Sequence, residues 1–244
     1  TVFKIGGPAR FLVEAENAED FIAALKAARA NNISWLILGA GSNVLASDKG
    51  FDGIVIRWSG GNIRVDGNKV EAESPVAMAR AASESIKAGL TGFEWAVGIP
   101  GTVGGSVRGN AGCFGGEMKN VVLAIKVLDM NDGSVREMAA SQAAFAYRES
   151  IFKKRSELVV ISVTLNLKPG DADQGIKLIR QYTLRRSETQ DIGSQSAGCI
   201  FKNVLWSRKD INREQLLNRF PELAEFAGSP GISTGFLIDR AGLK

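Results

Sequence analysis

The sequence contains no histidine among its 244 residues. Without an imidazole, Ser-His-Asp and Cys-His nucleophile systems are excluded, and so are metal sites built on histidine ligands. Any proton donor or base must then be a Ser, Cys, Tyr, Lys, Asp or Glu side chain. This restriction favours chemistry that is carried by an organic cofactor.

Cysteine is scarce as well, since Cys113 and Cys199 are the only two. They provide neither a disulfide framework nor the spacing of zinc ligands, and we expect no metal. No apolar run approaches the roughly 20 residues that span a bilayer, and the opening residues TVFKIGG lack the apolar core of a signal peptide. We therefore expect a cytoplasmic protein that does not bind membranes.

Charge of one sign is nowhere concentrated. The 30 basic and 26 acidic residues give a net charge of +4, and the basic residues are scattered apart from short clusters at 153–155 and 185–186. This pattern does not indicate a nucleic-acid surface, and small anionic ligands fit it better. With 45% hydrophobic and 23% charged residues, the composition is that of an ordinary globular protein with a sizeable core.

Glycine, in contrast, is concentrated between Gly98 and Gly116, where the chain reads GIPGTVGGSVRGNAGCFGG. Such a run is costly on folding unless positive φ angles or a ligand require it. It also carries apolar residues, Ile99, Val103, Val107 and Phe114, which flexible linkers lack. We predict a rigid, ligand-facing loop that is neither helix nor strand. The alternative is a solvent-exposed Ω-loop.

A second glycine-rich segment, GAGSN at Gly39–Asn43, follows the apolar residues Trp35–Leu38. Its N–H groups, the Ser42 hydroxyl and the Asn43 amide could cradle a diphosphate, although such a turn can also be purely structural. It is not the Rossmann fingerprint, because its sixth residue is Leu45 and no helical pattern follows. Two glycine-rich segments can hold the two ends of a long dinucleotide such as FAD.

Periodicity and turn signals predict a mixture of helices and strands. The predicted elements are a helix after Asn17, a helix from Pro75 to Gly89, hairpins at Val65–Glu73 and Ile125–Met138, a strand at Leu158–Leu167, and helices at 176–186 and 213–226. Composition changes at Lys168–Asp173. We therefore predict two domains, residues 1–168 and 169–244.

Two further motifs lie downstream of the glycine run. Tyr147–Ser150 reads YRES, which in isolation is typical of a solvated surface turn. Ala197–Asn203 reads AGCIFKN and places Cys199 where a ligand could reach it. A lone cysteine is also typical of an inert, buried packing residue. Neither motif indicates a chemistry by itself.

Taken together, TVFKIGGPA, GAGSNVL, GIPGTVGGSVRGNAG, YRES and AGCIFKN follow the order and approximate spacing of one family. Over essentially its whole length, the chain resembles the UDP-N-acetylenolpyruvoylglucosamine reductases, also called UDP-N-acetylmuramate dehydrogenases. The resemblance implies an α+β fold. Its FAD-binding domain would be of the vanillyl-alcohol-oxidase (PCMH) type, in two parts over residues 1–168, followed by a smaller α+β substrate-binding domain over residues 169–244.

The resemblance also implies a reaction. NADPH would give a hydride to FAD, which would then reduce UDP-N-acetyl-3-O-(1-carboxyvinyl)glucosamine to UDP-N-acetylmuramate for peptidoglycan synthesis. Arg148 matches the arginine that stabilises the enolate-like intermediate. Cys199 stands where the family generally has a serine, and would donate the proton to C2. The protein would be a monomer acting on a small molecule, with no nucleic-acid or membrane partner.

The same resemblance implies the binding residues. FAD contacts are expected at Gly39, Ala40, Gly41, Ser42, Asn43, Gly101, Thr102, Gly104, Gly105 and Asn110, and substrate contacts at Arg185, Lys202 and Asn203. The family also uses a glutamate that follows a segment like LIDRAGLK, where this sequence ends. The alternative is therefore a flavin-binding module, or another flavin oxidoreductase, that lacks this activity because the acid is missing.

Overall fold

A computed structural model describes residues 1–189, 193 and 195–243 of the chain. The residues pack as two compact units, Thr1–Ala197 and Gly198–Lys244. The α-helices are α1 (Ala18–Ala30), α2 (Met78–Lys87), α3 (Val103–Gly109), α4 (Ile151–Lys154), α5 (Ala172–Thr189), α6 (Arg213–Arg219) and α7 (Thr234–Arg240). No helix among the described residues has the length and apolarity to cross a membrane.

Strands alternate with these helices along the chain, and the predicted α+β class is confirmed. They are β1 (Ala9–Ala15), β2 (Trp35–Ile37), β3 (Phe51–Trp58), β4 (Ile63–Asp66), β5 (Lys69–Glu73), β6 (Leu90–Thr91), β7 (Gly112–Cys113), β8 (Gly116–Glu117), β9 (Val122–Asp129), β10 (Val135–Ala139), β11 (Leu158–Asn166), β12 (Lys168–Pro169), β13 (Val204–Leu205) and β14 (Gly231–Ile232).

A small parallel sheet in the order β1-β3-β2 begins the first unit. Helix α1 connects β1 to β2 and starts where predicted, because the Asn17 side chain accepts a hydrogen bond from the Asp20 N–H at 2.9 Å. Its buried side chains, Phe21, Leu25 and Ala28, lie on one face. The glycine-rich segment Gly39–Asn43 begins two residues after the end of β2.

The second sheet of this unit is antiparallel, in the order β10-β9-β11-β5-β4. Both predicted hairpins are confirmed as β4–β5 and β9–β10. Alternate residues of the apolar strand β11 enter two different cores: Leu158 and Val160 pack with α2 and α3, whereas Val159 and Ile161 pack with α1 and β3. The sheet is therefore buried on both faces at β11.

The glycine run is not the continuous loop that was predicted. It contains α3, whose first turn is capped by the Thr102 hydroxyl, which accepts a hydrogen bond from the Gly105 N–H at 3.3 Å. Gly104 is needed for packing, since a Cβ there would overlap the Ser74 hydroxyl. Because α3 is buried, the Ω-loop alternative is also wrong.

Helix α2 begins later than predicted, at Met78 instead of Pro75. The preceding residues are occupied by backbone hydrogen bonds to the glycine run. The Val103 N–H donates to the Val76 carbonyl at 2.8 Å, and the Gly104 N–H donates to the Ser74 carbonyl at 3.0 Å. The segment before α2 is therefore extended and joined to the start of α3.

The predicted domain boundary after residue 168 also needs correction, because the division falls after Ala197. Helix α5 belongs to the first unit: the Tyr182 ring stacks on Phe114 with centroids 4.3 Å apart, and Gly175 lies against Ile86. Unit Gly198–Lys244 contains the β13–β14 pair, α6 and α7, and its Phe226 and Phe236 rings meet edge to face at 5.0 Å.

Candidate functional site

The structure brings the two glycine-rich segments together. The Ser42 hydroxyl donates a hydrogen bond to the Pro100 carbonyl at 2.6 Å. Gly39 faces Thr102 so closely that a Cβ at position 39 would lie 2.9 Å from the Thr102 Oγ1. Gly101, beside Ser42, has a φ of +147°, which side-chain-bearing residues rarely adopt. We call Gly39–Asn43 together with Gly101–Thr102 the cradle.

The cradle is rich in free hydrogen-bond donors. Its seven backbone N–H groups donate to no other residue that the structure describes. N–H groups without a partner in the protein are available to an acceptor from solution, either water or a ligand. A diphosphate offers several anionic oxygens to such a nest of N–H groups.

Cationic side chains lie next to the cradle. A cleft of about 480 Å³ beside Gly39 and Ala40 is lined in addition by Lys4, Leu38 and Arg57. Arg57 is held on β3 by an ion pair to Glu14, with a distance of 2.9 Å between Nη1 and Oε1. Since Glu14 offsets the charge of Arg57, Lys4 supplies the net positive charge at this cleft, which favours an anionic ligand.

Asn110, predicted as an FAD contact, lies at the end of α3 and is fully buried. Its Nδ2 donates to the Glu117 carboxylate at 2.6 Å and to the Ala146 carbonyl at 2.9 Å. Its Oδ1 accepts from the Lys119 N–H at 2.9 Å. The amide is thus engaged inside the protein, and its contact with FAD stays a prediction, as it does for Gly104 and Gly105.

Arg148 lies in a tight turn on the glycine run. Two backbone hydrogen bonds of 3.0 Å between Ala146 and Glu149 close the turn. The Arg148 guanidinium donates from Nη2 to the Gly112 carbonyl at 2.9 Å and lies 5.4 Å from the centre of the Tyr147 ring. The turn is partly buried, so the solvated-turn interpretation of YRES is wrong.

Sequence reasoning missed a second guanidinium here. A Cβ at Gly98 would lie 3.4 Å from both the Arg186 Nη1 and the Cys113 Sγ. Burial raises the pKa of the Cys113 thiol, and Arg186 and then Arg148 lower it by a smaller amount. Arg186 therefore approaches the same stretch of the glycine run as Arg148. The signal was the spacing of Tyr182 and Arg186, which places both on one face of α5.

The other predicted site residues lie elsewhere in the chain. Arg185 is exposed on α5 in the first unit. Cys199 is exposed in the second unit, so the interpretation of an inert buried residue is wrong. In that unit, Thr234 donates from its N–H to the Asn203 Oδ1 at 3.3 Å and from its hydroxyl to the Lys202 carbonyl at 2.6 Å. Among the described residues, no acidic or cysteine cluster could hold a metal ion.

Known proteins resemble this chain in both sequence and structure. The profile of a family described as an FAD binding domain matches residues 9–139. The UDP-N-acetylenolpyruvoylglucosamine reductase of Caldanaerobacter subterraneus subsp. tengcongensis is 35% identical over 245 aligned positions, which cover all of this chain and 72% of that protein. The enzyme of the same name from Caldicellulosiruptor saccharolyticus is 36% identical, over all of this chain and 71% of that protein.

A solved structure gives the same result. The UDP-N-acetylenolpyruvylglucosamine reductase (MurB) of Thermus caldophilus matches 96% of this chain with a TM-score of 0.71 and 29% identity, over 73% of that chain. The prediction of FAD as cofactor is confirmed. The chain belongs to the UDP-N-acetylenolpyruvoylglucosamine reductase family and is a flavin-dependent oxidoreductase.

Proposed function

We propose that the chain uses NADPH to reduce UDP-N-acetyl-3-O-(1-carboxyvinyl)glucosamine to UDP-N-acetylmuramate, a step of peptidoglycan precursor synthesis. The observation that carries the proposal is the Arg148 guanidinium, anchored to Gly112 on the same glycine run that contributes to the cradle. Relatives named for this reductase activity extend over the whole chain and favour the proposal over the alternative of a flavin-binding module.

The residues of the cradle fit FAD. Seven free N–H donors match the acceptors of a dinucleotide diphosphate, and the Lys4 ammonium beside them matches its charge. Bound FAD would supply the redox chemistry, which is the transfer of a hydride from NADPH to the enolpyruvyl group. The chain itself must hold the two partners and handle the charge and the proton.

Arg148 is suited to the charge that develops on the substrate carboxylate. One of its five N–H donors goes to Gly112, and among the described residues the guanidinium donates no other hydrogen bond. A fixed, planar cation with free donors stabilises a carboxylate-bearing intermediate better than a mobile ammonium. The anchored geometry also avoids reorganisation during the reaction.

We also propose roles for the other residues that the family resemblance implies. Cys199 donates the proton to C2, for which its exposed thiol is accessible. Arg185, Lys202 and Asn203 bind the UDP part of the substrate. We further propose that the protein is a cytoplasmic monomer that binds neither nucleic acid nor membranes.

Single-turnover spectroscopy of the FAD-loaded protein tests this function. Arg148→Ala should slow flavin reoxidation by the enolpyruvyl sugar nucleotide about 100- to 1,000-fold, the range seen on removing one donor that stabilises an intermediate. Flavin reduction by NADPH should change less than about twofold. Arg180→Ala, which removes an exposed arginine of α5, is the matched control and should alter neither rate. Equal loss of both half-reactions in Arg148→Ala would contradict the proposal.

A further inference from the structure

Three hydrogen bonds tie the Ala146–Ser150 turn to the end of α3 and the residues after it. The Asn110 amide donates to the Ala146 carbonyl at 2.9 Å, at the entry of the turn. The Arg148 guanidinium donates to the Gly112 carbonyl at 2.9 Å. The Ser150 hydroxyl donates to the Arg108 carbonyl at 2.6 Å, at the exit. The entry, the side chain and the exit of the turn are thus all fixed to residues 108–112.

The turn needs this support because Arg148 has a φ of +57°. A residue with a long side chain adopts the left-handed region at a cost in free energy, and keeps it only where the surroundings determine the conformation. The Lys153 ammonium adds a hydrogen bond of 2.6 Å to the Arg148 carbonyl. Without such ties, the backbone would relax and carry the guanidinium away from Gly112.

Ser150 is the tie that reaches no candidate ligand-binding atom. Its side chain is buried, at 2% exposure, and its hydroxyl bonds a carbonyl in the last turn of α3. Carbonyls at the end of a helix have no partner inside the helix, so the Ser150 hydroxyl satisfies one of them. Because Ser150 lies two positions after Arg148, the same hydrogen bond also fixes the backbone at the exit of the turn.

We propose that Ser150 is a positioning residue for Arg148: its bond to the Arg108 carbonyl holds the turn in the conformation that aims the guanidinium at the substrate. Asn110 performs the same task at the entry of the turn. The inference rests on the catalytic role proposed for Arg148. Ser150 itself touches neither substrate nor cofactor.

Ser150→Ala in the FAD-loaded protein tests the proposal. It should slow flavin reoxidation by the enolpyruvyl sugar nucleotide about 10- to 100-fold, as expected for a misplaced catalytic group, and leave reduction by NADPH within about twofold. Ser150→Thr keeps the hydroxyl and should recover most of the rate. If Ser150→Ala does not fold, Ser150→Cys, which keeps a heavy atom at the γ position but donates only weakly, should show the same selective loss.

The matched control is Ser85→Ala in α2. Ser85 is equally buried and donates to the Ala81 carbonyl of its own helix at 2.7 Å, so its loss removes a buried hydroxyl and a hydrogen bond that tie no distant segments together. It should leave both half-reactions unchanged. A slowing of reoxidation in Ser150→Ala no greater than in Ser85→Ala would overturn the positioning role.

A double-mutant cycle separates positioning from direct action. If Ser150 acts through Arg148, Ser150→Ala should change reoxidation less than about twofold once Arg148 is already alanine. A further tenfold loss in the Arg148→Ala background would overturn the inference while leaving the proposed function intact. If Arg148→Ala alone slows both half-reactions equally, the proposed function fails first, and the two failures are thereby distinguishable.

Discussion

At the scale of single residues, backbone strain gathers beside the candidate site. Six non-glycine residues have positive φ among those described, and three of them are Asn110 (+41°), Phe114 (+50°) and Arg148 (+57°). All three lie on the glycine run or on the turn tied to it. Conformations of this kind are retained where the surrounding contacts fix them, and they cluster at ligand sites. A fourth, Lys4 (+53°), lines the cleft beside the cradle.

The two cysteines should react differently with iodoacetamide. Cys113 is partly buried and its pKa is raised, chiefly by burial, so less of it is thiolate at a given pH and its alkylation should need a higher pH. Cys199 is exposed and should be alkylated first. Quantitative mass spectrometry of labelled peptides across a pH series measures both rates.

The control for Cys113 is the same residue in the unfolded chain. In a Cys199→Ser variant, the midpoint of the pH–rate profile should lie at higher pH for the folded protein than for the protein in urea. A midpoint at or below the unfolded value would mean that Arg186 and Arg148 outweigh burial, contrary to the pKa shift described.

Residue-level predictions succeeded where the cause is local. The need for glycine at position 101 follows from its own backbone φ of +147°, whereas Gly39 is required by the approach of Thr102, which is distant in sequence. The environment of Asn110 could not be predicted, since its amide bonds the Ala146 carbonyl 36 residues away. Arg186 was missed for the same reason: its neighbours at Gly98 and Cys113 are distant in sequence.

At the scale of elements, α3 is the main departure from expectation. Glycines at positions 104, 105 and 109 argue against a helix by propensity alone. Tertiary packing overrides that preference, because Val103 and Val107 are buried in the larger core and Gly104 allows close approach to Ser74. The long apolar strand β11 and the two hairpins were predictable because their patterns are strong and local.

Gly104→Ala should destabilise the protein by about 1–3 kcal/mol, since the new methyl group overlaps the Ser74 hydroxyl in a packed interior. The free energy of unfolding in urea measures this change. Ser74→Gly in the same chain should restore part of the loss, because it removes the overlapping atom.

Gly109→Ala is the matched control on the same helix. No atom lies within 4 Å of the added methyl group, and alanine is the better helix former, so stability should rise by up to about 1 kcal/mol. Equal destabilisation by both alanines would show that close packing at Ser74 is not what requires Gly104.

At the scale of the whole molecule, the large clusters of buried hydrophobic side chains that stabilise the fold lie in the first unit. Both large hydrophobic cores and the entire cradle fall within Thr1–Ala197. The predicted boundary near residue 168 was based on a change in composition. Such a change indicates a loop, but it does not show whether the following helix α5 packs with the first unit or the second. That choice depends on contacts such as Phe114 with Tyr182, 68 positions apart.

A fragment of residues 1–197 should therefore fold and bind FAD as tightly as the full chain. It should still accept a hydride from NADPH but not reduce the enolpyruvyl sugar nucleotide, because Cys199, Lys202 and Asn203 are absent. Flavin fluorescence titration and anaerobic single-turnover spectroscopy check the two halves of this expectation.

The complementary variant is the full chain with Cys199, Lys202 and Asn203 all changed to alanine. It should reproduce the behaviour of the fragment if those side chains alone account for the loss. A fragment that is colourless although folded would place part of the FAD site beyond Ala197.

The two-sided burial of β11 has a consequence for cofactor exchange. One side of the cradle follows β2, whose sheet packs with one core, and the other side precedes α3, which packs in the other core. Since β11 contributes side chains to both cores, the two sides cannot swing apart as a hinge while the strand stays buried. Flavin exchange then needs no opening between the two cores and runs through the open mouth of the cleft beside Gly39 and Ala40.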